Sequence, residues 1–140
     1  MLTCSDSRVP PELVFDQGLG DLFVCRVAGN VVTPEVFGSI EYAVSTFGCA
    51  LVVVLGHQRC GAVTETIELV AAGGTAPGSV QSIVDAIAPN VAEGASADEV
   101  VRANALVAAR RLAESPALSD GRERVAAAFY SLDTGTVELL

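Results

Sequence analysis

Two short segments carry side chains able to bind a metal and do chemistry at it: Cys4-Ser5-Asp6-Ser7-Arg8 and Gly56-His57-Gln58-Arg59-Cys60-Gly61. Cys4, His57 and Cys60 together offer two thiolates and an imidazole. These are ligands zinc prefers, and a catalytic zinc site keeps three protein ligands and one open position. His-x-x-Cys alone is a weak signal, because so short a match often arises by chance or from core packing. A lone cysteine is more often a small buried hydrophobe. The combination is stronger, because His57 is the only histidine in the chain and stands at a Gly-flanked turn after an apolar run. Two thiolates cancel the formal charge of the ion. Water at such a site should therefore ionise above the roughly pH 7 of a three-histidine site, and hydroxide-dependent activity should rise on the alkaline side.

Asp6 and Arg8 are the candidates for work beside the metal. In an extended chain they point to the same side. A carboxylate so close to Cys4 could be a further metal ligand, or could accept a hydrogen bond from a reacting group. Arg8 could hold it in the second role, since its planar fork matches a carboxylate. The plainer reading is a solvated surface pair worth little. Cys25 and Cys49 read as core residues. Gly18-Leu19-Gly20 precedes a strand, whereas a dinucleotide-binding loop follows one and opens a helix. Arg110-Arg111 reads as a solvated pair on a helix.

These segments need a scaffold that brings them together. Cys49 to Leu55 is a near-continuous, Val-rich apolar run, the pattern of a central parallel strand covered on both faces. Asp21 to Val27 holds a second strand, and Val125–Leu132 and Thr136–Leu139 two more, joined by a hairpin turn at Asp133-Thr134-Gly135. A helix is predicted from Pro34 to Phe47, with Thr33 as N-cap and Gly48 as its stop. Others are predicted over Gly61–Ala72, Val80–Val91 and Asp98–Glu114. Alternating strands and helices predict a single α/β domain over 1–140, with a mainly parallel central sheet flanked by helices. In such sheets functional groups gather beyond the carboxyl ends of the strands. Cys4 follows the stub of a strand, so it can meet His57 and Cys60 if the two strands are neighbours. Met1-Leu2-Thr3 reads as the end of a strand, so the chain is expected to be truncated at its start or to have had its start codon assigned too late.

Composition narrows the function further. The chain is 51% hydrophobic and only 18% charged, a surplus that suggests apolar surface buried against another subunit. Its longest apolar run is far short of the roughly 20 residues that span a bilayer. Net charge is −9, from 17 acidic and 8 basic residues, and all the bases are arginine. Such a chain is a poor nucleic-acid binder. No signal peptide is visible, and scattered cysteines suit a reducing cytoplasmic compartment.

Cys4-Ser-Asp-Ser-Arg-Val-Pro-Pro-Glu12, Phe15-Asp-Gln-Gly18, Gly20-Asp-Leu-Phe23, Arg26, Ala28-Gly-Asn30 and Gly56-His-x-x-Cys-Gly61 together resemble the β-class carbonic anhydrases. The likeness is dense from Cys4 to Val63 and looser to the end, where Ala128-Phe-Tyr130 and Asp133-Thr-Gly135 resemble the family's closing strands. It implies a zinc enzyme for the reversible hydration of carbon dioxide, with metal ligands at Cys4, His57 and Cys60. It implies that Asp6 either pairs with Arg8 or swings in as fourth ligand. It also implies an apolar substrate pocket at Phe23, Ala28 and Tyr42, partly across a dimer interface, and a backbone N–H of Gly61 facing bicarbonate. A homodimer or homotetramer follows. The sequence departs from the family in lacking an N-terminal helical arm, in Val27, and in Gln58-Arg59 between the ligands. Related hydrolases of carbonyl sulfide or carbon disulfide share the fold and zinc site. A non-catalytic zinc module is disfavoured by Asp6 and Arg8, and a thiol redox protein by the lack of Cys-x-x-Cys.

Overall fold

A computed structural model describes residues 1–118 and 124–140. Five strands, β1 (Leu2–Thr3), β2 (Cys25–Arg26), β3 (Leu51–His57), β4 (Arg124–Tyr130) and β5 (Val137–Leu139), form one sheet in the order β2-β1-β3-β4-β5. The first four run parallel, and β5 returns antiparallel to β4. The helices are α1 (Pro11–Val14), α2 (Pro34–Phe47), α3 (Gly61–Ala72), α4 (Gln81–Ile87) and α5 (Ala97–Ala113). The α/β class and the mainly parallel sheet are those the sequence predicts.

Local signals account for the helix ends. The Thr33 hydroxyl accepts from the Val36 N–H, Pro34 takes the first helical position, and Gly48 closes α2 in the left-handed region at φ 66°. Helix α5 starts on a reciprocal cap: Ser96 accepts from the Glu99 N–H while the Glu99 carboxylate accepts from the Ser96 N–H. The helix expected over Val80–Val91 is shorter. Pro89 has no N–H to give and its ring obstructs the preceding turn, so α4 stops at Ile87 and a 3-10 turn, Ala88–Asn90, follows.

The strand expected over Asp21–Val27 shrinks to Cys25–Arg26. Among the described residues its ladder partner is β1, which offers Leu2 opposite Cys25 and Thr3 opposite Arg26. Strand β3 is also less evenly covered than its apolar run suggests. Val54 and Leu55 face opposite sides and both are fully buried, so both faces are covered near the carboxyl end. Leu51, at the amino end, is 55% exposed. Beside it a cavity of about 390 Å³ is lined by Met1, Phe23, Val44 and Leu51–Val53.

The core joins Val52, Val54 and Ala127 of the sheet to Ile40 and Val44 of α2 and to Ala105, Ala108 and Leu112 of α5. Where α5 crosses β3, the strand residue is Gly56. A Cβ there would stand 2.6 Å from Val101 Cγ1 and 3.3 Å from the Val101 carbonyl oxygen. Gly56→Ala should therefore push α5 off the sheet and cost about 1–3 kcal/mol, read as a lower urea midpoint at unchanged slope. A midpoint equal to the wild type's would show that the helix yields freely.

Candidate metal centre

Strand pairing assembles the site. Thr3 of β1 stands opposite Leu55 of β3, so Cys4 and His57 leave the same edge of the sheet from adjacent strands. His57 ends β3, and Cys60 is the residue that precedes α3. The Sγ atoms of Cys4 and Cys60 and a ring nitrogen of His57 all lie within 4.8 Å of one another. Cys4 is 5% exposed, Cys60 1% and His57 0%.

Each of the three is oriented by backbone. His57 Nδ1 lies 2.9 Å from the Gln58 carbonyl oxygen. A carbonyl only accepts, so Nδ1 carries a proton, and in the neutral ring Nε2 then holds a free lone pair. That Nε2 is buried and has no hydrogen-bond partner among the described residues. The Gly29 N–H donates to Cys4 Sγ at 3.4 Å. Gly29 has φ 65°, and a Cβ on it would meet Ile87 Cδ1 at 2.7 Å, so the close approach to Cys4 needs glycine.

The two sulfurs lie 4.0 Å apart. Sharing a proton with Cys60 and accepting from the Asp6 and Gly29 backbone pushes the Cys4 thiol down against its burial. The same shared proton, burial and the adjacent negative charge push Cys60 up, opposed by the N–H groups of Val63 and Ala62 at the start of α3. The pair thus gives up one proton readily and holds the second.

A soft divalent ion fits this arrangement. Two sulfurs bound tetrahedrally at about 2.3 Å stand about 3.8 Å apart, close to the spacing here. A cation would replace the shared proton, and the unpartnered Nε2 would gain an electron-pair acceptor, which a buried polar atom otherwise lacks at a cost.

Asp6 and Arg8 meet beside this group, through a turn and not in the extended chain predicted. The Val9 N–H donates to the Asp6 carbonyl at 3.2 Å. Arg8 forks onto the carboxylate, Nε to Oδ1 at 2.9 Å and Nη2 to Oδ2 at 2.6 Å, and its own N–H adds a third bond at 2.9 Å. These bonds hold the Asp6 carboxyl well below the usual carboxylate range, against slight burial. Asp6 Oδ2 lies 4.0 Å from His57 Nε2, so the carboxylate faces the site while both its oxygens are committed to Arg8. Arg8 Nη2 also donates to the Arg59 carbonyl at 3.0 Å.

The other predicted residues are spread out. Gly61 opens α3 next to Cys60, and Ala28 opens the 3-10 turn that carries Gly29. Phe23 and Tyr42 pack against each other with ring centroids 6.5 Å apart, and Phe23 lines the cavity at the amino ends of the strands. Within one chain those two rings therefore lie at the opposite end of the sheet from Cys4 and His57. Cys25 and Cys49 are half-buried free thiols. Arg111 is not simply solvated: Nη1 donates to the Val32 carbonyl at 3.0 Å.

Three supports escape sequence reasoning. Arg26 donates from Nε to the Cys4 carbonyl at 3.0 Å and from Nη2 to the Asp6 carbonyl. Asn104, buried on α5, donates to the Gly29 carbonyl at 2.8 Å and accepts from Asn90 at 3.0 Å. Asp133 reaches Gln58 and Arg59 across the hairpin. Arg26 and Asp133 fall within recognisable motifs that do not say what they touch, and nothing near Asn104 in the chain signals contact with the site.

A sequence profile described as carbonic anhydrase matches residues 1–137. A carbonic anhydrase of Mycolicibacterium smegmatis is 41% identical over 97% of this chain and 71% of its own length. Carbonic anhydrase 2 of Mycobacterium tuberculosis is 40% identical over 97% and 70%. Among solved structures, a β-carbonic anhydrase of Coccomyxa in complex with acetazolamide superposes with a TM-score of 0.81 at 25% identity, over 99% of this chain and 69% of that one. One of two tetrameric β-carbonic anhydrases of Sordaria macrospora gives 0.84 at 23%, over 99% and 78%. A carbon disulfide hydrolase shares the fold at 22% identity, with a TM-score of 0.69 over 98% and 75%. The chain belongs to the carbonic anhydrase family, in its β class. It is an enzyme of that family, and the hydrolase alternative is not favoured.

Proposed function

We propose that Cys4, His57 and Cys60 hold one zinc ion, and that Asp6 and Arg8 serve the reaction beside it, the reversible hydration of carbon dioxide to bicarbonate and a proton. The observation that carries this reading is the meeting of two buried sulfurs and an unpartnered buried imidazole nitrogen within 4.8 Å of one another. Zinc bound there supplies the Lewis acidity that makes water a nucleophile near neutral pH.

The chain's own residues do the rest. The Gln58 carbonyl fixes the His57 tautomer, so that Nε2 and not Nδ1 faces the sulfurs. The Gly29 N–H favours thiolate at Cys4, and the N–H groups at the start of α3 offset part of what holds the proton on Cys60. Arg8 holds Asp6 ionised with its edge toward the site, where the carboxylate accepts a hydrogen bond from the attacking oxygen and orients it. As long as both oxygens stay in the Arg8 fork, Asp6 would not itself be a ligand to the ion. His57 is the only histidine and is spent as a ligand, so the released proton leaves through water or buffer.

Phe23, Ala28, Tyr42 and Gly61 are assigned to substrate binding. Phe23 and Tyr42 do this across a homodimer, in which a second copy brings its rings to this site. The exposed Phe47 and Leu51 beside them extend an apolar surface suited to that contact. The residues 1–140 act as one domain. No helix among the described residues is long and apolar enough to cross a membrane. The free cysteines fit a reducing compartment such as the cytoplasm.

Stopped-flow hydration of carbon dioxide, run from about pH 7 to 9 around the ionisation of zinc-bound water on protein of known zinc content, tests the reading. Activity should climb with pH and scale with zinc. Full activity after a chelator has removed the metal would overturn the assignment, and silence at one zinc per chain would send the search to another substrate.

A further inference from the structure

We propose that Asp133, at the tip of the β4–β5 hairpin, is a positioning residue for the site: it holds the two residues between His57 and Cys60 in the conformation that presents the Arg59 carbonyl to Arg8. The inference rests on the zinc site proposed above and adds a residue to it.

The segment Gln58-Arg59 works in two directions. Its carbonyls face the site: that of Gln58 accepts from His57 Nδ1 at 2.9 Å, and that of Arg59 from Arg8 Nη2 at 3.0 Å. Its side chains go to a single carboxylate. Gln58 Nε2 donates to Asp133 Oδ2 at 2.8 Å, and Arg59 Nη1 to Asp133 Oδ1 at 2.7 Å. The Asp133 N–H returns a bond to Gln58 Oε1 at 3.1 Å. Gln58 is fixed further by its own N–H, which donates to the Tyr130 carbonyl at 2.9 Å.

Residue 59 is where this clamp matters. Arg59 has φ 55°, in the left-handed region that side chains other than glycine enter at a cost. Such a conformation persists only where the surroundings over-determine it. Relaxation to the right-handed region would rotate the peptide and withdraw the Arg59 carbonyl from Arg8. Arg8 would lose one of its anchors, and with it the fixed direction of the Asp6 carboxylate. The Arg59–Asp133 pair is exposed, 52% and 60% on its two side chains, and as a plain surface ion pair it would count for little. Here it is joined by two Gln58 bonds and acts on a strained backbone directly between two proposed ligands.

The test compares Asp133→Ala, Arg59→Gly and the double variant with the wild type. One readout is solvent exchange of the Arg8 Nε–H by NMR, measured with and without zinc; the other is kcat and KM of the zinc-loaded protein. Asp133→Ala should speed the Arg8 exchange and lower kcat about tenfold, the lower end of the range for outer-shell partners, with KM little changed. Adding Arg59→Gly should recover most of both losses, because glycine takes a positive φ without strain. A role confined to tethering the hairpin predicts no such recovery. Unchanged exchange in Asp133→Ala, or a loss that the second substitution leaves in place, overturns the proposal. If the wild type holds zinc no better than a Cys60→Ala variant, the metal reading falls, while the Arg8 exchange still decides the role of Asp133.

Discussion

Cys60→Ala should leave a folded protein that retains no zinc through dialysis and hydrates carbon dioxide no faster than buffer does. Cys60 is one of only three buried donors in the group, and its sulfur is 4.0 Å from that of Cys4. The residue that precedes α3 has no freedom to be replaced by a neighbour. Cys25 and Cys49 are the other two cysteines, and neither belongs to the donor group. Loss of an outer-shell partner already costs about 10–100-fold in metal affinity or activity, so loss of a direct ligand should exceed that range. Zinc content after dialysis against a chelator, together with stopped-flow rates, checks both halves. Cys49→Ala serves as the control for removing a thiol. An active, zinc-free Cys60→Ala protein would remove Cys60 from the ligand set.

Asp6→Asn should separate the chemistry from the metal. Asp6 stands outside the Cys–His–Cys group, so zinc content should match the wild type's. Arg8 bonds to both carboxylate oxygens. An amide offers one oxygen where the guanidinium needs two, and its NH2 would face an arginine N–H with no acceptor between them. The fork should open and the hydrogen bond toward the reacting oxygen should be lost. Turnover should fall about 10–100-fold, mostly in kcat, with KM nearly unchanged. Equal turnover at equal zinc would take Asp6 out of the mechanism.

The readable parts of this molecule are those set by neighbours in the chain. Thr33, Pro34 and Gly48 mark both ends of α2, and Gly61 and Ala72 bound α3 as predicted, because caps and periodicity are local. The adjacency of β1 and β3, and hence the approach of Cys4 to His57, was open as a condition and is met by the sheet order. What pattern could not reach depends on partners far along the chain. The length of β2 is set by what β1 offers it. The Asp6–Arg8 pair forms through a turn whose bond from Val9 has no spacing signature. Asn104 meets Gly29, and Asp133 meets Gln58, each across 75 positions. Pro89 is the exception: its effect on α4 is local and was legible, but the apolar spacing around it drew the helix too long.

The parallel order of β1 and β3 has a consequence in time. Cys4 and Cys60 are 56 positions apart, and they meet only when β1 docks beside β3. The unfolded chain therefore offers zinc at most a two-donor fragment, His57 with Cys60. Contacts this distant in sequence are slow to form, since the loop between them must close before they give any return. A full coordination site exists only once β1 has docked beside β3. Nearly all the binding energy of an ion held by these three residues would then accrue to the native state, and it would act as a latch on the finished molecule, not as a template around which the chain assembles.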